Sequence, residues 1–220
     1  MGVADEGLDA QERAEVIASA RSLDDLRRAA TGCRACNLWR NATQTVFGEG
    51  GESARMLFLG EQPGDQEDRA GAPFVGPAGR ILDEALDAAG IDRGAVYVTN
   101  VVKHFKWKPA PRGKRRIHQR PDREEEIACR PWLEAELARI GPELIVCLGA
   151  TAAQALLGRS FRVTRQHGVV MQSDLGPALA TIHPSAVLRA PDSEARSAAF
   201  DGLVADLKAA ASAVPASVPA

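Results

Sequence analysis

The chain has 220 residues, 45% hydrophobic and 25% charged, with 27 Lys and Arg against 29 Asp and Glu for a net charge of −2. That composition excludes a disordered or fibrous chain and suits one globular domain large enough to bury its own core. No run approaches the ~18 apolar residues of a membrane span, and the acidic opening MGVADEGLDAQERAEV lacks the basic-then-apolar order of a leader peptide, so a cytoplasmic location is expected.

In chain order, residues 1–20 read as an acidic N-terminal extension, 21–210 as a single domain and 211–220, ASAVPASVPA, as a disordered tail. Four apolar runs predict buried strands: Met56 to Leu59, Val96 to Val102, Leu144 to Leu148 and Ala178 to Ile182. Between them, helical periodicity predicts helices over Pro77 to Ala89, Asp122 to Ile140, Ala150 to Leu157 and Glu194 to Ala210. Pro77 near a start, Gly90 past an end and the Gly141-Pro142 stop mark their limits. Strands alternating with helices imply an α/β fold with a mostly parallel sheet covered on both faces, whose ligand sits beyond the carboxyl ends of the strands.

The residues at those strand ends carry chemistry. Gly60-Glu61-Gln62-Pro63-Gly64 follows the first strand; Pro63-Gly64 is ordinary turn chemistry, but a carboxylate at Glu61 is not, and it suits a general base or a stabiliser of developing positive charge. Asn100 ends VYVTN with a donor and an acceptor side by side, and His183 ends ALATIH ahead of Pro184-Ser185. Phe74 lies in the glycine-rich loop GAPFVG, where an aromatic either packs in the core or stacks on a base.

Four cysteines need an explanation in a reducing compartment. Cys33 and Cys36 are separated by two residues, with 92 more to Cys129 and 17 from there to Cys147; the spacing fits a four-iron cluster or a structural zinc and leaves the two open. Cys147, inside LIVCLGA, also reads as a small buried hydrophobe.

Charge is unevenly distributed. Residues 103–123 hold nine Lys and Arg against Asp122 alone, a local +8 on a chain whose remainder is therefore −10. A basic loop on an acidic body is what phosphate recognition needs, although a solvated loop has the same composition.

Together GEQPG at 60–64, APFVGPAGR at 72–80, VTN at 98–100, KRRIH at 114–118, HPS at 183–185 and the four cysteines resemble the iron-sulfur branch of the uracil-DNA glycosylase superfamily. Within that branch the pairing of GEQPG with KRRIH resembles the UdgX type. The resemblance covers about residues 31–208 and implies a three-layer α/β/α sandwich with a four-stranded sheet. It further implies a [4Fe-4S] cluster on Cys33, Cys36, Cys129 and Cys147, and a monomer acting on uracil-containing DNA, single-stranded by preference, with uracil as product. In that reading Phe74 covers the flipped base and Asn100 reads its N3–H and O4. His183 hydrogen-bonds O2 as negative charge grows there, and Glu61 answers the charge on the sugar. Gly60, Gln62, Asp65 and Glu67 line the pocket, while Gly76, Gly79, Pro184 and Ser185 let backbone approach phosphates.

KRRIH implies more: His118 itself captures the sugar C1′ and leaves the protein covalently joined to DNA, with Glu61 taking the released proton. Lys114, Arg115 and Arg116 would hold phosphates and, as like charges, keep His118 neutral. The rival readings are a glycosylase that releases abasic DNA and turns over, and a non-catalytic binder of damaged DNA.

Overall fold

The computed structural model describes residues 7–214. Chain order begins with α1 (Ala10–Ser19), α2 (Leu23–Ala30), β1 (Met56–Gly60), α3 (Asp65–Ala70), α4 (Pro77–Ala88) and β2 (Tyr97–Asn100). A hairpin of β3 (Trp107–Pro109) and β4 (Arg116–His118) follows, then α5 (Arg123–Ile140), β5 (Leu144–Leu148), α6 (Ala150–Leu157), α7 (Val163–Gln166), β6 (Val170–Ser173) and β7 (Gly176–Thr181). Two helices, α8 (Ser185–Leu188) and α9 (Ser193–Ala213), close the fold.

The four expected strands pair in parallel in the order β2-β1-β5-β7. The sheet has five strands rather than four, because β6 adds antiparallel to β7 at the edge. Its residues alternate between exposed and half-buried, so it lacks the unbroken apolar run that marks a strand covered on both faces. The inner strands show that double cover. Leu57, Leu59, Ile145, Cys147, Ala178 and Ala180 face a layer of α2, α5 and α6. Phe58, Val146 and Leu179 face α4, α8 and α9 on the other side, completing an α/β/α sandwich. Order 2-1-5-7 makes the chain leave β1 in opposite directions to its two neighbours, which opens a crevice at the carboxyl ends of β1 and β5.

Helix limits follow capping chemistry. α4 carries Pro77 in its first turn, and α5 starts from a capping box in which Asp122 accepts from the Glu125 amide. α5 ends at Gly141, which is left-handed at φ 58°.

Three expectations need correction. The N-terminal extension is not loose over its described part: α1 is capped by Asp9, Arg13 Nη1 donates to Ala128 O at 2.6 Å, and Leu8 bridges to Cys33. Helix α9 runs through Ala213 into the expected tail, whose residues 215–220, like 1–6 of the extension, lie outside the described residues. The basic segment is no open loop but an antiparallel hairpin pairing Trp107 with His118 and Pro109 with Arg116. No described helix is long and apolar enough to cross a membrane.

One lysine of the basic segment is interior. Lys103 is 1% exposed and its Nζ donates to Glu136 Oε2 (2.5 Å), Thr99 Oγ1 (2.6 Å) and Asn100 O (2.7 Å). Glu136, fully buried, also accepts from Tyr97 Oη at 2.8 Å and Gly48 N at 3.1 Å. Removing one partner of such a pair strands the other charge in a dry site. Lys103→Met is therefore expected to lower unfolding free energy by about 3–5 kcal/mol in urea titrations, and Lys103→Met with Glu136→Gln to recover a large part of it.

Candidate active site

The loops after β1, β2, β5 and β7 converge on one cleft of about 840 Å³ at the carboxyl edge of the sheet. Glu61, Gln62, Asp65, Glu67, Phe74, Asn100, His118, His183 and Ser185 all line it, so most of the predicted constellation is one site in space.

Its walls come together because two glycines leave room. A side chain at Gly60 would overlap Asn100 Oδ1 and the Phe74 ring, and one at Gly79 would overlap the Phe74 carbonyl. Phe74 itself sits at φ 57°, a left-handed conformation that costs about 1–3 kcal/mol in a non-glycine residue and is found where surrounding structure enforces it. Glu67 braces the loop two residues further on. Its carboxylate accepts from Gly64 N (3.1 Å) and Gly76 N (2.6 Å), tying the turn after β1 to the loop that carries Phe74. Glu67 is thus a brace, 8% exposed. The Phe74 ring lies stacked with His183, centroids 6.3 Å apart at 27°, and Asn100 is buried at 3% exposure beside Gly60.

His183 has a defined donor. Its Nδ1 accepts from Ser185 N at 3.1 Å and meets Ser185 Oγ at 2.7 Å, and Ser185 Oγ accepts from Arg189 Nη1 at 2.8 Å. With Nδ1 occupied as an acceptor, the proton belongs on Nε2. Burial first, then Arg189 and His118, push the His183 pKa down to about 4, so the ring is a neutral hydrogen-bond donor near pH 7.

His118 enters from the hairpin. Its Nε2 lies 2.8 Å from Gln62 Nε2 and 3.4 Å from Glu61 Oε1. The Gln62 amide is oriented by its other bonds, Nε2 donating to Gln119 O (2.9 Å) and Oε1 accepting from Lys106 N (2.9 Å), so it offers N–H to His118. His118 Nε2 therefore accepts from Gln62, which leaves the ring proton on Nδ1. Thr151 Oγ1 donates to the far oxygen of Glu61 and fixes that carboxylate. The His118 pKa is lowered by burial and by Arg189, against an upward pull from Glu61. The direction matches expectation, but the cause does not: neither Lys114, Arg115 nor Arg116 acts on the ring.

Arg116 explains why. Instead of facing a phosphate it turns inward, pairing with Asp65 and with Asp68 (2.5 Å), a carboxylate fully withdrawn from water. Its guanidinium lies 5.3 Å from the Phe105 ring centre and 5.4 Å from that of Trp107. This clamp fastens the hairpin to α3 and aims His118 at Glu61. Asp65 is thereby a partner of Arg116 and Arg69 as well as a wall of the cleft. Of the three basic residues, Arg115 lines the cleft and Lys114 is exposed near the hairpin tip.

The cysteines divide three to one. Cys129 feels both Cys33 and Cys36, its Sγ accepts from Lys103 N at 3.2 Å, and Cys33 Sγ accepts from Trp132 Nε1 at 3.2 Å. Cys147 stands in mid-sheet between Leu59 and Ala180, fully buried, and burial alone pushes its thiol up to about 12. No other thiol acts on Cys147, and the expected four-cysteine set does not gather around one point among the described residues. Among the described residues no three metal-binding side chains meet tightly enough for a single ion. A multi-iron cluster spreads its ligands more widely. Sequence reasoning also missed Arg189, Arg120 and Thr151; Arg189 was open to detection, four residues after Ser185 and thus on one face of a helical turn.

The uracil DNA glycosylase superfamily profile matches residues 47–208. The type-4 uracil-DNA glycosylase of Thermotoga maritima is 40% identical over 166 residues, 74% of this chain and 82% of that one. That of Archaeoglobus fulgidus is 38% identical over 178 residues (77% and 85%), and that of Pyrobaculum aerophilum 37% over 177 (77% and 86%). The match spans every strand of the central sheet and every loop that lines the cleft, and the chain belongs to the uracil DNA glycosylase superfamily.

Proposed function

We propose that the protein excises uracil from DNA, single-stranded by preference, and remains joined to the abasic sugar through His118. The observation that carries the reading is the placement of His118 Nε2 among the cleft-lining groups, 2.8 Å from Gln62 Nε2 and 3.4 Å from Glu61. Phe74 covers the extruded base and Asn100 pairs with its amide edge; cytosine offers the reversed donor and acceptor and would leave buried groups unpaired. As the C1′–N1 bond breaks, its electron pair passes to uracil, and His183 Nε2–H holds the charge gathering on O2. A neutral donor suits this task, because it stabilises the anion without surrendering its proton early. Glu61 faces the cationic sugar. His118 Nε2 then gives up its hydrogen bond from Gln62 and bonds to C1′, giving an imidazolium that Glu61 balances until the Nδ1 proton leaves to water. Lys114, Arg115 and Arg189 hold phosphates of the strand.

The resident cofactor in this reading is a [4Fe-4S] cluster on Cys33, Cys36 and Cys129, with His104 as the fourth ligand in place of Cys147. His104 is 5% exposed, follows the residue whose amide meets Cys129 Sγ, and lies close enough to Arg34, between Cys33 and Cys36, to be biased by it. When bound, the cluster supplies structural cross-linking of α2, the β2 loop and α5. Cys147→Ala is expected to keep the visible absorption and iron content of the purified protein, and Cys129→Ala to lose both. Loss of iron from Cys147→Ala would return the ligand role to that residue.

With uracil oligonucleotide in excess, uracil release should stop near one equivalent per protein, and His118→Ser should turn over repeatedly. Repeated turnover by the unaltered protein would make it a conventional glycosylase; release of no uracil would make it a binder. Because His118 sits below its usual pKa of about 6.5, the single-turnover rate of capture should stay level from pH 8 to 6.5 and fall only below that, as the nucleophile is protonated. Arg189→Ala removes a charge that depresses the pKa and should move this fall toward neutral pH.

A further inference from the structure

Beside the catalytic cleft, the first half of α5 and the second half of α6 border a smaller one of about 180 Å³ that the chemistry above does not use. Its lining includes the apolar Val101 and Leu133, and Arg123, Arg130 and Arg159 line it as well. Ile127 stands in it 56% exposed and offers a large apolar side chain beside those guanidinium groups. Arg130 is bridged to Glu134 and Asp174, and Arg159 to Glu126. Arg123 makes no ion pair or side-chain hydrogen bond among the described residues and is free to bind an anion.

The two clefts share a ridge. Arg120 lines the catalytic cleft and its Nη2 donates to Gln154 Oε1 at 3.1 Å, while Gln154 lines the smaller one. On α6, Thr151 reaches Glu61 in the first cleft, and Gln154, one turn later on the same face, reaches the second. Glu126, inside the smaller cleft, is close enough to feel both Glu61 and Arg120. A strand leaving the uracil pocket over Arg120 thus meets apolar surface rimmed by guanidinium groups. This is the combination that stacks a base and holds its phosphate.

We propose that this cleft is a subsite for a nucleotide flanking the uracil on the same single strand, its base against Ile127 and its phosphate on Arg123. The proposal rests on the glycosylase reading above and adds a site to it. Both residues are exposed and outside the catalytic cleft, so Arg123→Ser and Ile127→Ser leave the fold and the chemistry intact. Two substrates separate the possibilities: a single-stranded oligonucleotide of about 15 nucleotides with central uracil, and deoxyuridine 3′,5′-bisphosphate, which has no neighbouring base. For each variant the concentration giving half-maximal uracil release is expected to rise roughly tenfold with the oligonucleotide and not at all with the bisphosphate. Repeating the assay with strands extended only 5′ or only 3′ should confine the effect to one polarity. An unchanged value with the oligonucleotide would overturn the subsite and leave the cleft to another kind of partner. An equal rise with both substrates would overturn it too, as disturbance of the uracil pocket. Failure of the glycosylase reading itself looks different, since the unaltered protein would then release uracil from neither.

Discussion

A single ammonium group, Lys103 Nζ, joins the parts of the molecule that have to stay in register. It holds the carbonyl of Asn100 at the end of β2, the hydroxyl of Thr99 within that strand and the carboxylate of Glu136 on α5. The amide of the same residue meets Cys129 Sγ. Sheet edge, covering helix and cysteine group are therefore fixed relative to one another through four hydrogen bonds of one residue. With both charges at or below 1% exposure, desolvation is severe and only full pairing makes the arrangement tolerable. What the network fixes is the backbone carbonyl of Asn100 relative to Thr99 and to Glu136 on α5.

The cleft above is built by exclusion as much as by attraction. Gly60 and Gly79 are the absences that let Asn100 and Phe74 approach, and Glu67 ties the loop that carries Phe74 to the turn after β1. The hairpin is joined to this frame through side chains. Only two short strands form it, and Arg116, buried between Asp65, Asp68 and two aromatic rings, fastens it down so that His118 faces Glu61. His183 is kept neutral mainly by withdrawal from water, and Arg189 disfavours a proton on either ring. In the proposed chemistry neutrality suits each differently, one as a donor of a hydrogen bond and the other as a donor of an electron pair.

What was legible in the sequence was what repeats along it. The inner strands are covered on both faces and so read as unbroken apolar runs, and α4, α5 and α6 announce themselves by periodicity and by Pro77, Asp122 and Gly141. Strand-end residues then fell into place, because a parallel sheet gathers its carboxyl ends at one edge. What failed was whatever depends on partners distant in sequence. Lys103 and Arg116 sit in a basic run and were counted as surface charge, yet Glu136, Asp65 and Asp68 draw them inside. Cys147 has plausible spacing, but in mid-sheet burial alone acts on its thiol, while Cys129 feels Cys33 and Cys36. Strand β6 and helix α1 escaped because each is polar on its open side.

The account turns on His118 being the group that meets the sugar. Intact-protein mass spectrometry after incubation with a uracil-containing single strand, followed by peptide mapping, tests this directly. A mass increase equal to the oligonucleotide less uracil, carried on the peptide that contains His118, is the predicted result. Released uracil with the protein mass unchanged, or an adduct mapped to any other residue, would contradict it.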